Sequence, residues 1–133
     1  MINKEDANIL IVDDIEDNRY TLERRLKRDG YSNIFLAEGG KTALEMASEN
    51  KFDLILLDLM MPVMNGFEFL KVIRETEFSN IPILVLTGAD LSEEERKFLS
   101  GETHKILQKS DDTLSTIVNE VGQVIKASSS KGE

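Results

Sequence analysis

Five short apolar segments alternate along the chain with five longer segments whose apolar residues recur at helical spacing. The short segments are continuous and rich in branched residues, which is typical of parallel strands buried on both faces. They are NILIVDD, NIFLAE, FDLILLD, IPILVLTG and HKILQK, at residues 8–14, 33–38, 52–58, 81–88 and 104–109. The pattern therefore predicts five strands in one parallel sheet.

The intervening segments place apolar residues three and four positions apart, as amphipathic helices do. We expect these helices over residues 15–30, 39–50, 65–76, 91–101 and 112–127. Gly30 is suited to end the first helix, and Ser92 with Glu95 forms a capping-box pattern at the start of the fourth. Strands that alternate with helices predict a doubly wound α/β domain with helices on both faces of the sheet.

Composition narrows the class of protein. The chain has 133 residues, of which 41% are hydrophobic, enough for the core of one domain. It has no cysteine, which excludes disulfides and thiolate metal sites. No apolar run approaches the roughly 20 residues of a membrane span, and no signal-peptide pattern opens the chain. We therefore expect a cytoplasmic protein that does not contact a membrane.

The charge balance bears on partners. The formal net charge is -9, and no basic patch is visible that would neutralise phosphates, so direct binding to nucleic acid is disfavoured. The final residues, SSSKGE, are small and polar. We expect one domain over residues 1–127 and a flexible tail or linker over residues 128–133.

Polar side chains stand at the carboxyl ends of four predicted strands. They are Asp13 and Asp14 after the first, Asp58 after the third, Thr87 after the fourth and Lys109 after the fifth. In open parallel sheets this edge holds the ligand site. Carboxylates packed together repel one another, and a hard divalent cation relieves that repulsion. Ligands that are all oxygen favour Mg²⁺, Mn²⁺ or Ca²⁺ over zinc.

Asp58 is the best candidate for a nucleophile among the three acids. It stands alone, ends the most apolar strand and lies centrally in the predicted sheet. A carboxylate can attack phosphorus to form an acyl phosphate. Lys109 supplies a compact positive charge, Thr87 a hydroxyl donor, and Gly88 leaves room for a bulky anion. The sequence therefore predicts a site that forms an aspartyl phosphate beside a metal ion.

The segments ILIVDD, DLILLDLMMPVMNGFEFL and IPILVLTG, with the lysine of ILQK, closely resemble the receiver domain of bacterial two-component response regulators. That domain also occurs in hybrid sensor histidine kinases. The resemblance covers residues 8–127 and implies a flavodoxin-like (βα)5 fold with strand order 2-1-3-4-5. It also implies a phosphoacceptor switch that catalyses only its own phosphorylation and dephosphorylation, either free-standing or as part of a longer protein such as a hybrid kinase.

The resemblance assigns roles to the site residues. Asp58 would take a phosphoryl group from a phosphohistidine on a sensor histidine kinase or a histidine phosphotransfer domain. Asp14 would bind Mg²⁺ (or Mn²⁺) directly and Asp13 through water, with the carbonyl of Met60 as a third protein ligand. Thr87 and Lys109 would contact the phosphoryl group.

Further positions follow from the same resemblance. Met60 and Ala89 would flank the phosphoryl group and, with Gly88, set the access of water to it. Asp17, Asn18 and Arg19 open the helix that receivers present to their kinase, so we predict a docking role for them. The segment TLSTIVNEVGQVIK of the last helix carries only Glu120 and Lys126 as charged residues. We therefore expect no dimer through paired charges on that helix, and a monomer before phosphorylation.

Two positions depart from the family pattern. Ser110 follows Lys109 where receivers usually have a proline in a cis peptide bond. A cis bond before a non-proline residue costs about 2.5–4 kcal/mol, so we expect either a trans bond or strain. Ile106 replaces the usual aromatic switch residue, and it is smaller and stiff at χ1. We therefore expect the output to arise from shifts around TGADLSEEERKF.

Three other functions remain open at this point. A phosphatase of the haloacid dehalogenase type would use an aspartate nucleophile, but its D-x-D motif after the first strand is absent. A binding module on a flavodoxin-like scaffold would need a glycine-rich phosphate loop, and none follows that strand. A receiver that is never phosphorylated is the third, and the full acidic set argues against it.

Overall fold

Five strands form one parallel sheet in the computed structural model, which describes residues 3–58, 66–75, 81–87, 91–103, 105–108 and 114–131. The strands are β1 (Asn8–Val12), β2 (Asn33–Ala37), β3 (Leu54–Asp58), β4 (Ile83–Thr87) and β5 (Lys105–Gln108). The helices are α1 (Glu16–Arg28), α2 (Gly40–Glu49), α3 (Gly66–Arg74), α4 (Glu93–Glu102) and α5 (Leu114–Lys131). The predicted alternation of strands and helices is confirmed.

The strand order is β2-β1-β3-β4-β5, which confirms the predicted doubly wound topology. Each neighbouring pair is parallel, and β3 lies at the centre with all of its residues buried. The chain leaves β1 for β2 on one side and returns to β3 on the other. The order of the strands therefore reverses between β1 and β3, which is where ligands bind in sheets of this kind.

The core has two layers because alternate residues of a strand point to opposite faces of the sheet. Ile9, Ile11 and Leu56 pack with Leu26 of α1 and Val121 of α5. Residues next to these in the strands, such as Leu10 and Leu57, pack with residues of the other helices, including Ala43, Phe69 and Leu99. Both faces of the sheet are therefore apolar, which explains why the strand segments are continuous rather than alternating.

Local signals at the helix ends agree with the sequence. The Ser92 hydroxyl accepts a hydrogen bond from the Glu95 amide at 3.1 Å, and the Glu95 carboxylate accepts one from the Ser92 amide at 2.9 Å, which confirms the capping box. Gly30 follows α1 with φ of 107°, a conformation that favours glycine. Among the described residues, no helix is both long and apolar enough to cross a membrane.

The last helix is longer than its apolar stripe. The sequence pattern placed its end at Ala127, whereas α5 continues through the serines to Lys131. Serine is only a modest helix former, but each residue added to an existing helix gains a backbone hydrogen bond, so a polar segment can extend one. The division of the chain at residue 127 stays a prediction.

Candidate functional site

Three acids meet where β1 and β3 end. Asp13 and Asp14 directly follow β1, and Asp58 is the last residue of β3. Because β1 pairs with β3 up to Val12 and Leu57, the residues that follow come side by side. One carboxylate oxygen from each acid lies within 4.8 Å of the others. The structure therefore brings together the three carboxylates that the sequence placed at strand ends.

The three acids differ in exposure. Asp13 is 2% exposed and Asp58 is 5% exposed, whereas Asp14 is open to solvent. Burying a charge is costly unless it is paired, hydrogen-bonded or bound to a metal. Two buried carboxylates beside a third make a strongly negative point at the sheet edge. A small cation at this edge would offset the repulsion between them.

Hydrogen bonds hold Asp13 through both its carboxylate and its main chain. Its Oδ1 accepts from the Ile15 amide at 3.0 Å, and its Oδ2 accepts from Nδ2 of Asn18 at 3.2 Å. Its own amide donates to the Ala37 carbonyl at 3.1 Å, and its carbonyl accepts from a guanidinium nitrogen of Arg19 at 2.7 Å. The start of α1 and the end of β2 together fix this acid in place.

Asn18 and Arg19 thus have contacts that the sequence did not indicate. Their side chains contact Asp13 and are partly exposed, and the docking role predicted for both stays a prediction. The available signal is their spacing: five and six residues after a strand-end acid, they lie one turn into the following helix and within reach of it. Asp17 is exposed, as a docking residue must be.

Asp14 contrasts with its neighbour. Within the part of the chain that the structure describes, its carboxylate has no hydrogen bond or ion pair. Its oxygens are therefore open to an ion that arrives from solvent. Carboxylate oxygens are ligands for hard cations such as Mg²⁺ and Mn²⁺, so the residues present fit such an ion.

Thr87 and Ile106 occupy the sheet beside this cluster. Thr87 ends β4 and is fully buried. Asp58 pairs with Leu86, so Thr87 stands one residue beyond the partner of Asp58 at the same edge. Ile106 is partly buried in β5, pairs with Val85 and packs against the core layer that holds Phe69. It is a packing residue in this structure.

The remaining predicted site residues are Met60, Gly88, Ala89 and Lys109. They lie outside the described residues, as does the bond between Lys109 and Ser110. Their roles stay predictions.

The rim of the site has features that sequence reasoning missed. Ile15 is 51% exposed and Tyr20 is 47% exposed, both at the start of α1. A cavity of about 230 Å³ between α1 and α5 reaches Asp13 and Asn18 and is lined by Leu22 and Leu114 among others. Apolar side chains therefore border the acidic cluster on the α1 side. Isolated apolar residues in a polar helix turn carry no sequence signal that separates them from core residues.

The chain is similar in sequence to known proteins. Residues 9–119 match the family model of the response regulator receiver domain. The transcriptional regulatory protein YvrH of Bacillus subtilis is 45% identical over 84 residues, which are 63% of this chain and 35% of that protein. The response regulator MprA of a Mycobacterium species is 42% identical over 84 residues, 63% of this chain and 36% of that protein. The match thus covers about a third of the length of these relatives.

Solved structures resemble the whole domain. The chemotaxis protein CheY4 of Vibrio cholerae superposes with a TM-score of 0.79 and 32% identity, covering 89% of this chain and 98% of that one. The receiver domain of a Francisella response regulator superposes with a TM-score of 0.82 and covers 92% of this chain and 98% of that one. At 24% identity, the second likeness concerns the fold alone.

Proposed function

The chain belongs to the response regulator receiver domain family of two-component systems, and we propose that it accepts a phosphoryl group on Asp58 from a phosphohistidine. The observation that carries this proposal is the cluster of Asp13, Asp14 and Asp58, whose carboxylate oxygens lie within 4.8 Å of one another. Such a cluster at the strand ends suits a metal-assisted transfer of phosphate.

Asp58 is the acid best placed to react. Asp13 has both carboxylate oxygens in hydrogen bonds to α1, and Asp14 lies on the exposed side. Asp58 ends the central strand and is held there by pairing with β4. A carboxylate oxygen of Asp58 attacks phosphorus and forms an O–P bond. The P–N bond of the phosphohistidine breaks, and its electron pair leaves on the imidazole nitrogen.

Residues of this chain would bind the metal ion and contact the phosphoryl group. We propose that Asp14, Asp58 and the Met60 carbonyl hold Mg²⁺ or Mn²⁺, with Asp13 acting through water. When bound, the ion neutralises the acids and stabilises the charge of the phosphoryl group. Thr87 donates its hydroxyl to a phosphoryl oxygen, and Lys109 contributes its ammonium charge. The domain is then a switch rather than an enzyme with an external product.

We propose a sensor histidine kinase or a histidine phosphotransfer domain as the phosphoryl donor, in the cytoplasm. The exposed start of α1 supports a docking surface there, because Ile15, Asp17 and Tyr20 stand beside the acidic cluster and are accessible. The net charge of -9 opposes contact of this domain with nucleic acid. A transcriptional output, as the name of YvrH states for that protein, would then need segments outside this domain.

The test is phosphorylation by a small donor. The protein is incubated with Mg²⁺ and acetyl phosphate, and its intact mass is followed. We expect one phosphoryl adduct on the wild-type protein, none after Mg²⁺ is chelated and none on Asp58→Asn. Asp53→Asn, at the other end of the same strand, is the matched control and should be labelled normally.

Two results would contradict the proposal. One is an adduct that persists in Asp58→Asn, and the other is a wild-type protein that takes no label although it binds Mg²⁺. Steady turnover of a simple phosphate ester would instead favour the phosphatase of the haloacid dehalogenase type.

A further inference from the structure

Asn18 contacts the acidic cluster in a way that phosphate chemistry alone does not require. Its side-chain amide donates to Oδ2 of Asp13 at 3.2 Å, while the Ile15 amide donates to Oδ1 at 3.0 Å. Asp13 is almost completely buried, and these two donors hold one carboxylate oxygen each. Asp14, one residue later, lacks any such donor among the described residues.

We propose that Asn18 is a positioning residue for the metal site, which fixes the Asp13 carboxylate so that it supports an ion held by Asp14 and Asp58. This inference rests on the proposed function for the identity of the ion. The role differs from the docking role that the sequence suggested for Asn18.

The chemistry of the amide explains why asparagine suits this position. A carboxylate offers about four lone-pair sites, and the Ile15 and Asn18 donors use two of them. A neutral amide orients the carboxylate without cancelling its charge, whereas lysine or arginine would pair with it and weaken its attraction for a cation. Partners that orient a metal ligand in this way raise metal affinity.

Arg19 contacts the same acid through the acid's main chain. Its guanidinium donates to the main-chain carbonyl of Asp13 at 2.7 Å rather than to the carboxylate. The Thr42 hydroxyl, at 2.8 Å, is the main reason why the pKa of Glu38 lies below its usual range, and the charge of Arg19 acts weakly in the same direction. The Arg19 side chain thus contacts the main chain of Asp13, while Asn18 contacts its carboxylate.

The test measures binding of Mn²⁺ by electron paramagnetic resonance, with Mg²⁺ as a competitor. We expect Asn18→Ala to raise the Kd on the order of tenfold, which is the usual effect of losing such an orienting partner. Asn18→Leu keeps a branched side chain of similar length, lacks the donor and should give a similar Kd. Asn119→Ala, on the exposed face of α5, is the control and should bind as the wild type does. Denaturation of each metal-free variant checks that the fold is retained.

A double-mutant cycle separates positioning from a general structural effect. If Asn18 acts through Asp13, then Asn18→Ala should change the Kd less than twofold when Asp13 is already asparagine. A wild-type Kd for Asn18→Ala and Asn18→Leu, or the full loss persisting in the Asp13→Asn background, would overturn the inference. Failure of the proposed function is distinct, because it would appear as tight Mn²⁺ binding without any phosphoryl adduct.

Discussion

The two ends of β3 each carry an aspartate, five residues apart in the chain, with opposite surroundings. Asp53 precedes the strand, and its carboxylate accepts a hydrogen bond from the Asn8 amide at 2.8 Å. Asp58 ends the strand and lies among two further acids. Asp53 thus links two segments of the chain through a main-chain donor, whereas Asp58 contributes to a cluster of acids. Residue type does not separate the two cases; the neighbours do.

At the amino end of the sheet, hydrogen bonds and a cation–π contact link neighbouring segments. The side chain of Asn8 donates to the Lys51 carbonyl at 2.9 Å. The Lys4 ammonium donates to the Asp29 carbonyl at 3.1 Å and lies 5.4 Å from the centre of the Tyr31 ring. At the carboxyl end, three negative charges converge instead. The contacts at the amino end therefore stabilise the fold. At the carboxyl end, repulsion between the acids reduces stability, as is common at a ligand site.

The largest difference between the two ends of β3 should appear in how much Mg²⁺ raises the free energy of unfolding. With Mg²⁺ at about 100 times its Kd, we expect the free energy of unfolding to rise by about 2.7 kcal/mol in the wild-type protein. Asp53→Asn should show the same gain, since it is remote from the ion, whereas Asp58→Asn should lose most of it. Urea denaturation with and without Mg²⁺ measures the difference. An equal gain in Asp58→Asn would remove Asp58 from the metal site.

Removal of Asp53, the acid at the amino end, should lower the free energy of unfolding even when no metal is present. Asp53→Ala leaves the Asn8 amide without its side-chain acceptor, so we expect a loss of about 1–3 kcal/mol in the free energy of unfolding. The control is Asp6→Ala, an exposed acid whose carboxylate accepts a weak hydrogen bond from the Asn3 side chain, at 3.5 Å.

The acid at the other end provides the contrast in the same denaturation experiment. Asp58→Asn removes one of three crowded charges, so the metal-free variant should be at least as stable as the wild type at low salt. If Asp53→Ala were neutral and Asp58→Asn strongly destabilising, the assignment of the two ends would be wrong.

The smallest effect on stability is expected for Tyr31, which packs against α5 near Gly122 at the amino end of the sheet. Burial raises the pKa of Tyr31 above its ordinary value near 10, and the charge of Asp29 adds to this. Below that value the phenol is neutral in both states. As pH rises through it, the unfolded chain loses its proton first, so stability falls until the folded-state pKa is passed. Tyr31→Phe should lack this alkaline loss in denaturation curves, and an unchanged curve would exclude Tyr31 as its source.

Most of the fold follows from local patterns. Continuous apolar runs predict buried parallel strands, and apolar residues three and four apart predict helices that cover them. Asp13, Asp14, Asp58 and Thr87 could be placed at one edge of the sheet because that edge collects the carboxyl ends of all the strands. The spacing of Asn18 puts it within reach of Asp13, but no pattern in the sequence tells whether such a residue docks a partner or supports the acid.

The sequence therefore determined the elements, the sheet and the row of strand-end acids, because hydrophobic periodicity is a local record of burial. Only the tertiary structure decided which donor meets Asp53 and which acids lie beside Asp58. Asp53 meets Asn8 across 45 residues of chain, and Asp58 meets Asp13 across the pairing of β1 with β3. Such contacts depend on the exact packing of segments far apart in the chain, and the order of residues within either segment does not encode them.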